Sequence, residues 1–429
     1  MPIATTRSAS PPGSPRPTKR IRVEVDPENA AASTSVVIIP TVEALDSSSS
    51  PSIPAMTGES STEAEIVERE MSLPVEFAKS YAHELDYRNK LVLAPMVRTG
   101  SLPMRLLSLY YGAGLVWSPE VVDKAIIGAE RIVDVIFQIG SSDPELAVKA
   151  AKTVEQDVSG ITHSGMGAAL LSTPTLLLNI LRALLDSVAL PISCKIRLLP
   201  TQPATLELAS RILRTGIRNL TVHCRTRDMR PGEPAIWDRL CDIVKLGKRR
   251  GVSMTCNGDG DGWGNWEAIK SQTDADSVMI ARAAERNPSI FLPTGPVSNV
   301  TDNIPKLLNI CERINNPWGN TKFLLNQFKP SARPVSNMTK AEKVAIQDGI
   351  SRSKTLAEVG EKLGVQLGCG KALMEEIEEK IRSRTPTDIF EERREAEADG
   401  KVVDEPVENA NAGVVEACGM GVGQAAAGL

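Results

Sequence analysis

At 429 residues and 41% hydrophobic content, the chain is long enough to bury one large core or two smaller ones. A formal net charge of −4 excludes a chain-wide basic coat for nucleic acid, so any contact with a polyanion must be local. Its seven cysteines hold no Cys-x-x-Cys pair, which argues against a disulfide scaffold and against zinc-ribbon spacing.

No apolar run reaches the roughly 18 residues of a membrane span, and the N-terminus is not a signal peptide. A cytoplasmic or nuclear protein with no membrane partner and no metal is expected. Residues 1–70 are rich in Ser, Pro, Thr and Ala without sustained periodicity, which predicts a disordered tail. Within it, Lys19-Arg-Ile-Arg22 reads either as a short nuclear-import signal or as a solvated charge cluster.

Order is predicted from Met71, with a short lead-in helix over Pro74–Tyr81. Strand candidates follow at Lys90–Val97, Leu115–Ser118, Val135–Gly140 and Asp157–Ile161. Four more are Pro191-Ile-Ser-Cys-Lys-Ile-Arg197, Asn219-Leu-Thr-Val-His-Cys-Arg225, Val252-Ser-Met-Thr-Cys-Asn-Gly-Asp259 and Asp276-Ser-Val-Met-Ile-Ala-Arg282. Helix-like segments such as Leu206–Arg214 separate them. Strands alternating with helices argue parallel βα units, and eight in one series close into a (β/α)8 TIM barrel more readily than they form an open sheet. The barrel domain is assigned to 71–315 and a small C-terminal helical domain to 317–390, carried by Thr321–Phe328, Ala341–Leu363 and Gly370–Arg384. Residues 391–429 are acidic, then Gly/Ala/Val-rich, and are expected to be a second disordered tail.

The polar residues that end these strands fall where such barrels keep their chemistry. Gln138 closes strand three with an amide that gives and accepts hydrogen bonds, which suits a flat heterocycle or a backbone neighbour. Lys195, within strand five, should point into the barrel and needs an anion or polarised carbonyl there. His223 ends strand six, and Arg225, Arg227 and Arg230 follow in its loop; three arginines in six residues can bind phosphate or make surface pairs. Asn257-Gly258-Asp259 follows strand seven and Ala281-Arg282 follows strand eight, the usual phosphate site of these barrels. Each signal is also ordinary turn chemistry, but all of them at the strand ends of one barrel point to a phosphorylated cofactor.

With these residues assembled, the chain resembles the tRNA-dihydrouridine synthases. The pieces that carry the resemblance are Leu93-Ala-Pro-Met-Val-Arg98, Leu115-Val-Trp-Ser-Pro-Glu-Val121, Val135-Ile-Phe-Gln-Ile-Gly140, Gly165-Met-Gly-Ala-Ala-Leu-Leu171, Cys194-Lys-Ile-Arg-Leu198, Val222-His-Cys-Arg-Thr226, Asn257-Gly-Asp259 and Met279-Ile-Ala-Arg282. They point to the eukaryotic branch acting on uridine twenty of the D-loop. The resemblance implies a flavin mononucleotide (FMN) barrel followed by a helical tRNA-binding domain, with NADPH as reductant. It places Ala94, Pro95 and Met96 near the isoalloxazine ring and Gln138 on its pyrimidine edge. Lys195 would stabilise negative charge on the reduced flavin, and His223 would lie against the cofactor. Asn257, Gly258, Ala281 and Arg282 would hold the ribityl phosphate, with Asp259 also in the cofactor site and Arg225, Arg227 and Arg230 where tRNA approaches. The uracil must leave the stack to reach the flavin.

One departure matters. In the family, strand four runs into an Asp-x-Asn-x-Gly-Cys-Pro segment whose cysteine protonates the uracil. Here Asp157–Ile161 runs directly into Thr162-His-Ser-Gly-Met166, and the segment is missing between Ile161 and Thr162. The expected consequences are loss of the general acid and of the carboxyl end of strand four, with His163 a weak substitute acid. A skipped exon, a gene-model error and an inactive paralogue all account for the gap. Three readings follow: a tRNA-uridine reductase impaired in catalysis, a catalytically inactive tRNA-binding flavoprotein module, and an FMN barrel for a small molecule. Sequencing the transcript across Gly160–Gly165 separates a record error from a genuine deletion.

Overall fold

The apolar runs and intervening helices build a closed parallel barrel. The computed structural model describes residues 61–75, 81, 85–119, 121–122, 135–164, 173–230, 232–329 and 338–383. The lead-in segment 76–80, the Gly165–Leu171 stretch, the import-signal candidate and the C-terminal tail lie outside them.

In chain order the strands are β1 (Leu91–Leu93), β2 (Leu115–Trp117), β3 (Val121–Val122), β4 (Val135–Gly140), β5 (Gly160–Ser164), β6 (Ile192–Arg197), β7 (Asn219–His223), β8 (Ser253–Asn257) and β9 (Ser277–Ile280). The sheet runs β2-β1-β9-β8-β7-β6-β5-β4-β3, all parallel, and the pairing Val116↔Val135 between β2 and β4 closes it. Eight strands therefore form the barrel, and two-residue β3 adds to the end of β4.

Side-chain alternation divides the barrel into two layers. Leu91, Leu93, Ile161, Cys194, Ile196, Leu220, Val222 and Val278 face outward and pack under the helices. The inward set is split. Val92, Leu115, Trp117, Ile136 and Met279 make an apolar half, closed below by Tyr87. Across it, β7 and β8 supply a polar half: Asn219 Nδ2 donates to Thr221 Oγ1 (3.1 Å), and Thr255 Oγ1 donates to Asn219 Oδ1 (2.8 Å). Buried polar groups are kept by such pairing.

Three boundaries differ from the sequence expectation. Helix α1 (Glu63–Ser72) lies inside the segment predicted to be disordered. It starts with a capping box, Thr62 and Glu65 satisfying each other's backbone N–H groups. Strand four does not end at Ile161: Thr162, His163 and Ser164 continue β5, pairing with Gln138 and Ile139 on one side and Ser193, Cys194 and Lys195 on the other. The carboxyl end of the strand is thus formed by Thr162–Ser164, because the facing ladders of β4 and β6 demand partners.

The third difference is the 341–363 segment, which is two helices. The barrel helices are α2 (Leu102–Tyr110), α3 (Pro144–Val154), α4 (Pro174–Ser187), α5 (Gln202–Leu213), α6 (Cys241–Arg249), α7 (Trp266–Thr273), α8 (Arg282–Arg286) and α9 (Ile304–Arg313). After α10 (Trp318–Gln327) come α11 (Lys340–Arg352), α12 (Leu356–Leu363) and α13 (Gly370–Ser383). Ser353, in extended backbone, ends α11, and the Thr355 hydroxyl caps α12. Helix α13 returns against α9 and α2 and buries Leu373 and Ile377. No helix among the described residues is long and apolar enough to cross a membrane.

Candidate active site

Strands β7, β8 and β9 end side by side, so the residues that close them meet. A cavity of about 740 Å³ opens there, lined by His223, Asn257, Gly258, Asp259, Ala281 and Arg282, which the sequence set at these strand ends, and by Arg225, which the sequence set with Arg227 and Arg230 in the loop facing tRNA. Arg197 and Arg286 line it as well, and neither was picked out from sequence. Both were within reach of it. Arg197 is two residues beyond Lys195 on β6, hence on the same inward face. Arg286 is four residues beyond Arg282 on α8, hence on the same side of the helix.

The chain reverses after β8 through two successive left-handed residues, Gly258 (φ 127°) and Asp259 (φ 56°). A Cβ on Gly258 would stand 2.9 Å from the Ala235 methyl, so glycine is required by space as well as by backbone. Asn257 Nδ2 donates to Met279 O (2.9 Å), which ties β8 to β9 at the cavity floor. Arg225 is not on the surface with Arg227 and Arg230. Its side chain is 5% exposed; Nε donates to Glu233 O (2.7 Å) and Nη2 to Asp259 Oδ1. Arg227 and Arg230 are exposed and do not line the cavity.

His223 sits among these cations. Burial, with Lys195, Arg197, Arg225 and Arg282 nearby, pushes its pKa down to about 2, which favours the neutral ring. Arg225 Nη1 lies 3.4 Å from His223 Nε2, and since a guanidinium only donates, Nε2 is the accepting nitrogen.

The remaining predicted residues lie deeper in the mouth. Ala94 is buried on the apolar half of the barrel with Met96 packed against it, and Pro95 between them in the chain is half-buried. Gln138 is buried at the inward face of β4, its N–H donating to Ser118 Oγ (2.9 Å). In register beside it, Thr162 buries an Oγ1 that has no partner among the described residues. Lys195 faces inward from β6, opposite Thr221 of β7. None of these lines the 740 Å³ cavity.

His163 is excluded as a substitute acid at the mouth. It alternates outward, fully buried between β5 and α3, and its Nε2–H donates to Ser141 O (3.0 Å). Burial pushes its pKa down to about 4. The unfolded chain therefore takes up a proton below its ordinary pKa of about 6.5 while the folded chain does not, and stability falls as pH drops from about 6.5 to about 4. Between pH 7 and 5 this site should cost about 2 kcal/mol. Denaturant midpoints at both pH values should show that loss shrinking in His163→Gln; an unchanged pH dependence would assign it to other groups.

Among the described residues no thiol lines the cavity. Cys194, Cys224, Cys256 and Cys311 are buried in the layer between barrel and helices, and burial pushes Cys194 up to about 12 and Cys311 to about 11. Cys241 opens α6 and Cys369 precedes α13, both away from the cavity. Among the described residues no group of His, Cys, Asp and Glu is arranged to hold a metal ion.

With this geometry in view, residues 92–359 match the sequence profile of the dihydrouridine synthase family, which is more than half of the chain. The chain belongs to the dihydrouridine synthase family. It is 42% identical to the tRNA-dihydrouridine(20) synthase (NAD(P)+) of Schizosaccharomyces pombe over 306 residues, 60% of this chain and 64% of that protein. It is 38% identical to the enzyme of the same name from Saccharomyces cerevisiae over 302 residues, 57% of this chain and 78% of that protein. The chain thus spans just under two thirds of the length of the S. pombe relative. Among solved structures, a morphinone reductase aligns with a TM-score of 0.36 and 13% identity over 47% of this chain and 84% of that one.

Proposed function

We propose that this protein is an FMN-dependent oxidoreductase that uses NADPH to reduce a D-loop uridine of tRNA, position 20, to dihydrouridine, with its proton-delivery step impaired. The carrying observation is the convergence of Arg197, Arg225, Arg282 and Arg286 with the Asn257-Gly258-Asp259 turn around one cavity at the strand ends. That donor set fits a phosphate monoester, which guanidinium groups bind by charge-assisted hydrogen bonds. The buried Thr162 hydroxyl, unpartnered among the described residues, and the Gln138 amide fit the polar edge of a flat ring lying in the barrel mouth.

Bound FMN supplies the hydride chemistry, and the chain supplies position and electrostatics. Lys195 holds a positive charge inside the barrel where negative charge would develop. Ala94, Pro95 and Met96 form an apolar wall, and neutral His223 offers a polar edge without adding charge. Arg227 and Arg230, exposed beside the mouth, suit a polyanion such as tRNA. The names of both relatives, which act on tRNA and carry NAD(P)+, support this reading. The compartment that goes with it is the cytoplasm or nucleus.

The second reading, a tRNA-binding flavoprotein without turnover, is favoured by one observation: among the described residues no thiol lines the cavity at the mouth. A tRNA gel-shift beside a dihydrouridine assay separates the two, and absence of tRNA binding would favour a small-molecule reductase. The cofactor assignment has its own check. Lys195→Ala and Arg282→Ala should each weaken FMN retention about tenfold or more, the size of one lost charge-assisted hydrogen bond. If both variants purify as yellow as the parent, the assignment is wrong.

A further inference from the structure

We propose that Asp259 is the positioning residue of the phosphate subsite: it holds Arg225 and Arg282 side by side and aims them at the cavity, without touching the anion itself. The inference deepens the flavin reading of the same site and rests on it. An ionised carboxylate only accepts hydrogen bonds, so it offers a phosphate repulsion and no contact. Its two oxygens are otherwise engaged. Oδ1 accepts from Nη2 of Arg225 and from Nη2 of Arg282 (2.6 Å), and Oδ2 accepts from the backbone N–H of Ala235 (2.7 Å). Asn265 Nδ2 donates to the Asp259 carbonyl (2.7 Å), and Trp237 Nε1 donates to the Gly258 carbonyl (3.0 Å), so the carboxylate sits on a fixed turn.

Two guanidinium groups that share one oxygen repel each other. Arg282 is 44% exposed and has a path to solvent; Arg225 is 5% exposed and has none. Without the carboxylate, Arg282 would swing outward and the loop carrying Ala235 would lose its anchor. With it, the ordering of two long side chains is complete before an anion arrives, a step that otherwise costs about 0.5–1.5 kcal/mol per side chain. The aim outweighs the carboxylate's own repulsion because a phosphate monoester needs both arginines at once. Asp259 also joins the loop after β7, the turn after β8 and the start of α8.

The test uses the full chain and the variant Asp259→Asn, since asparagine tolerates the left-handed backbone at this position. Affinities for FMN and for riboflavin, which lacks the phosphate, are read by quenching of flavin fluorescence. FMN should bind about tenfold more weakly to the variant and riboflavin equally well, so that the preference for the phosphate collapses; a general loosening of the fold would weaken both. Trypsin should also cut faster after Arg227 in the ligand-free variant. An unchanged or increased preference for FMN overturns the proposal. A parent chain that binds neither flavin defeats the flavin reading, and the trypsin comparison then decides the role of Asp259: faster cleavage upholds it, unchanged cleavage removes it.

Discussion

Dihydrouridine formation on tRNA by this chain, supplied with FMN and NADPH, should be about 10² to 10⁴ times slower than by the same chain carrying an Asp-x-Asn-x-Gly-Cys-Pro segment between Ile161 and Thr162, the range a positioned general acid contributes. The structure says how the insertion would be accommodated. Thr162, His163 and Ser164 now fill the last rungs of β5 between β4 and β6. Asp-x-Asn would take those rungs, and Gly-Cys-Pro would emerge past the strand end at the barrel mouth, level with the region Lys195 faces. Thr162–Ser164 would be displaced from those rungs.

Binding of tRNA should change little, because Arg227, Arg230 and the helices α10–α13 are untouched. Replacing the inserted cysteine by alanine should return the rate to the parental value. Equal rates with and without the segment would mean that another group delivers the proton. The buried thiols are poor candidates, since burial pushes Cys194 and Cys311 well above neutral pH, and His163 faces away.

Much of the barrel was legible because each strand is an apolar run closed by a polar residue, and a parallel sheet turns that pattern into a ring of side chains at one end. The grouping of His223, Asn257, Gly258, Ala281 and Arg282 follows from topology alone. What escaped was set by contacts that no local pattern encodes. Strand β5 was placed three residues early, since Asp157-Val-Ser-Gly-Ile161 carries the apolar signal while the unpaired ladders on both sides select Gly160–Ser164.

The three arginines after His223 read as one cluster, yet Arg225 is drawn inward by Asp259 and Glu233 while Arg227 and Arg230 stay outside. The 341–363 periodicity is helical throughout, and only the extended backbone at Ser353 with the cap at Thr355 shows the break. Half of the residues of helix α1 are charged, so hydropathy hides it; the Thr62-x-x-Glu65 capping box was the available signal.

That helix leads to the second large effect: Glu70→Ala should release α1 from the barrel and cost about 3–5 kcal/mol if the helix stays docked. Glu70 is 1% exposed and meets Arg250 Nη2 at 3.2 Å, Arg69 Nη2 at 3.2 Å and Arg214 Nη2 at 3.7 Å. Arg250 is itself 6% exposed, so removing the carboxylate leaves a buried guanidinium without its counter-charge. The rest of the anchor is slender: Ile66 in the core, Arg69 with Glu207 (2.6 Å), and Arg249 Nη2 donating to Leu73 O (2.8 Å). A helix of ten residues is marginal alone in water, so undocking is the cheaper way to rehydrate Arg250, and it caps the loss at the docking free energy of α1. Hydrogen exchange over 63–72 should therefore rise sharply in the variant while amides of β6–β8 keep their protection. Glu70→Gln, which keeps the shape and part of the hydrogen bonding, should fall between the two. Unchanged exchange in α1, with a denaturant midpoint equal to the parent's, would show that Glu70 is not what holds the helix in place.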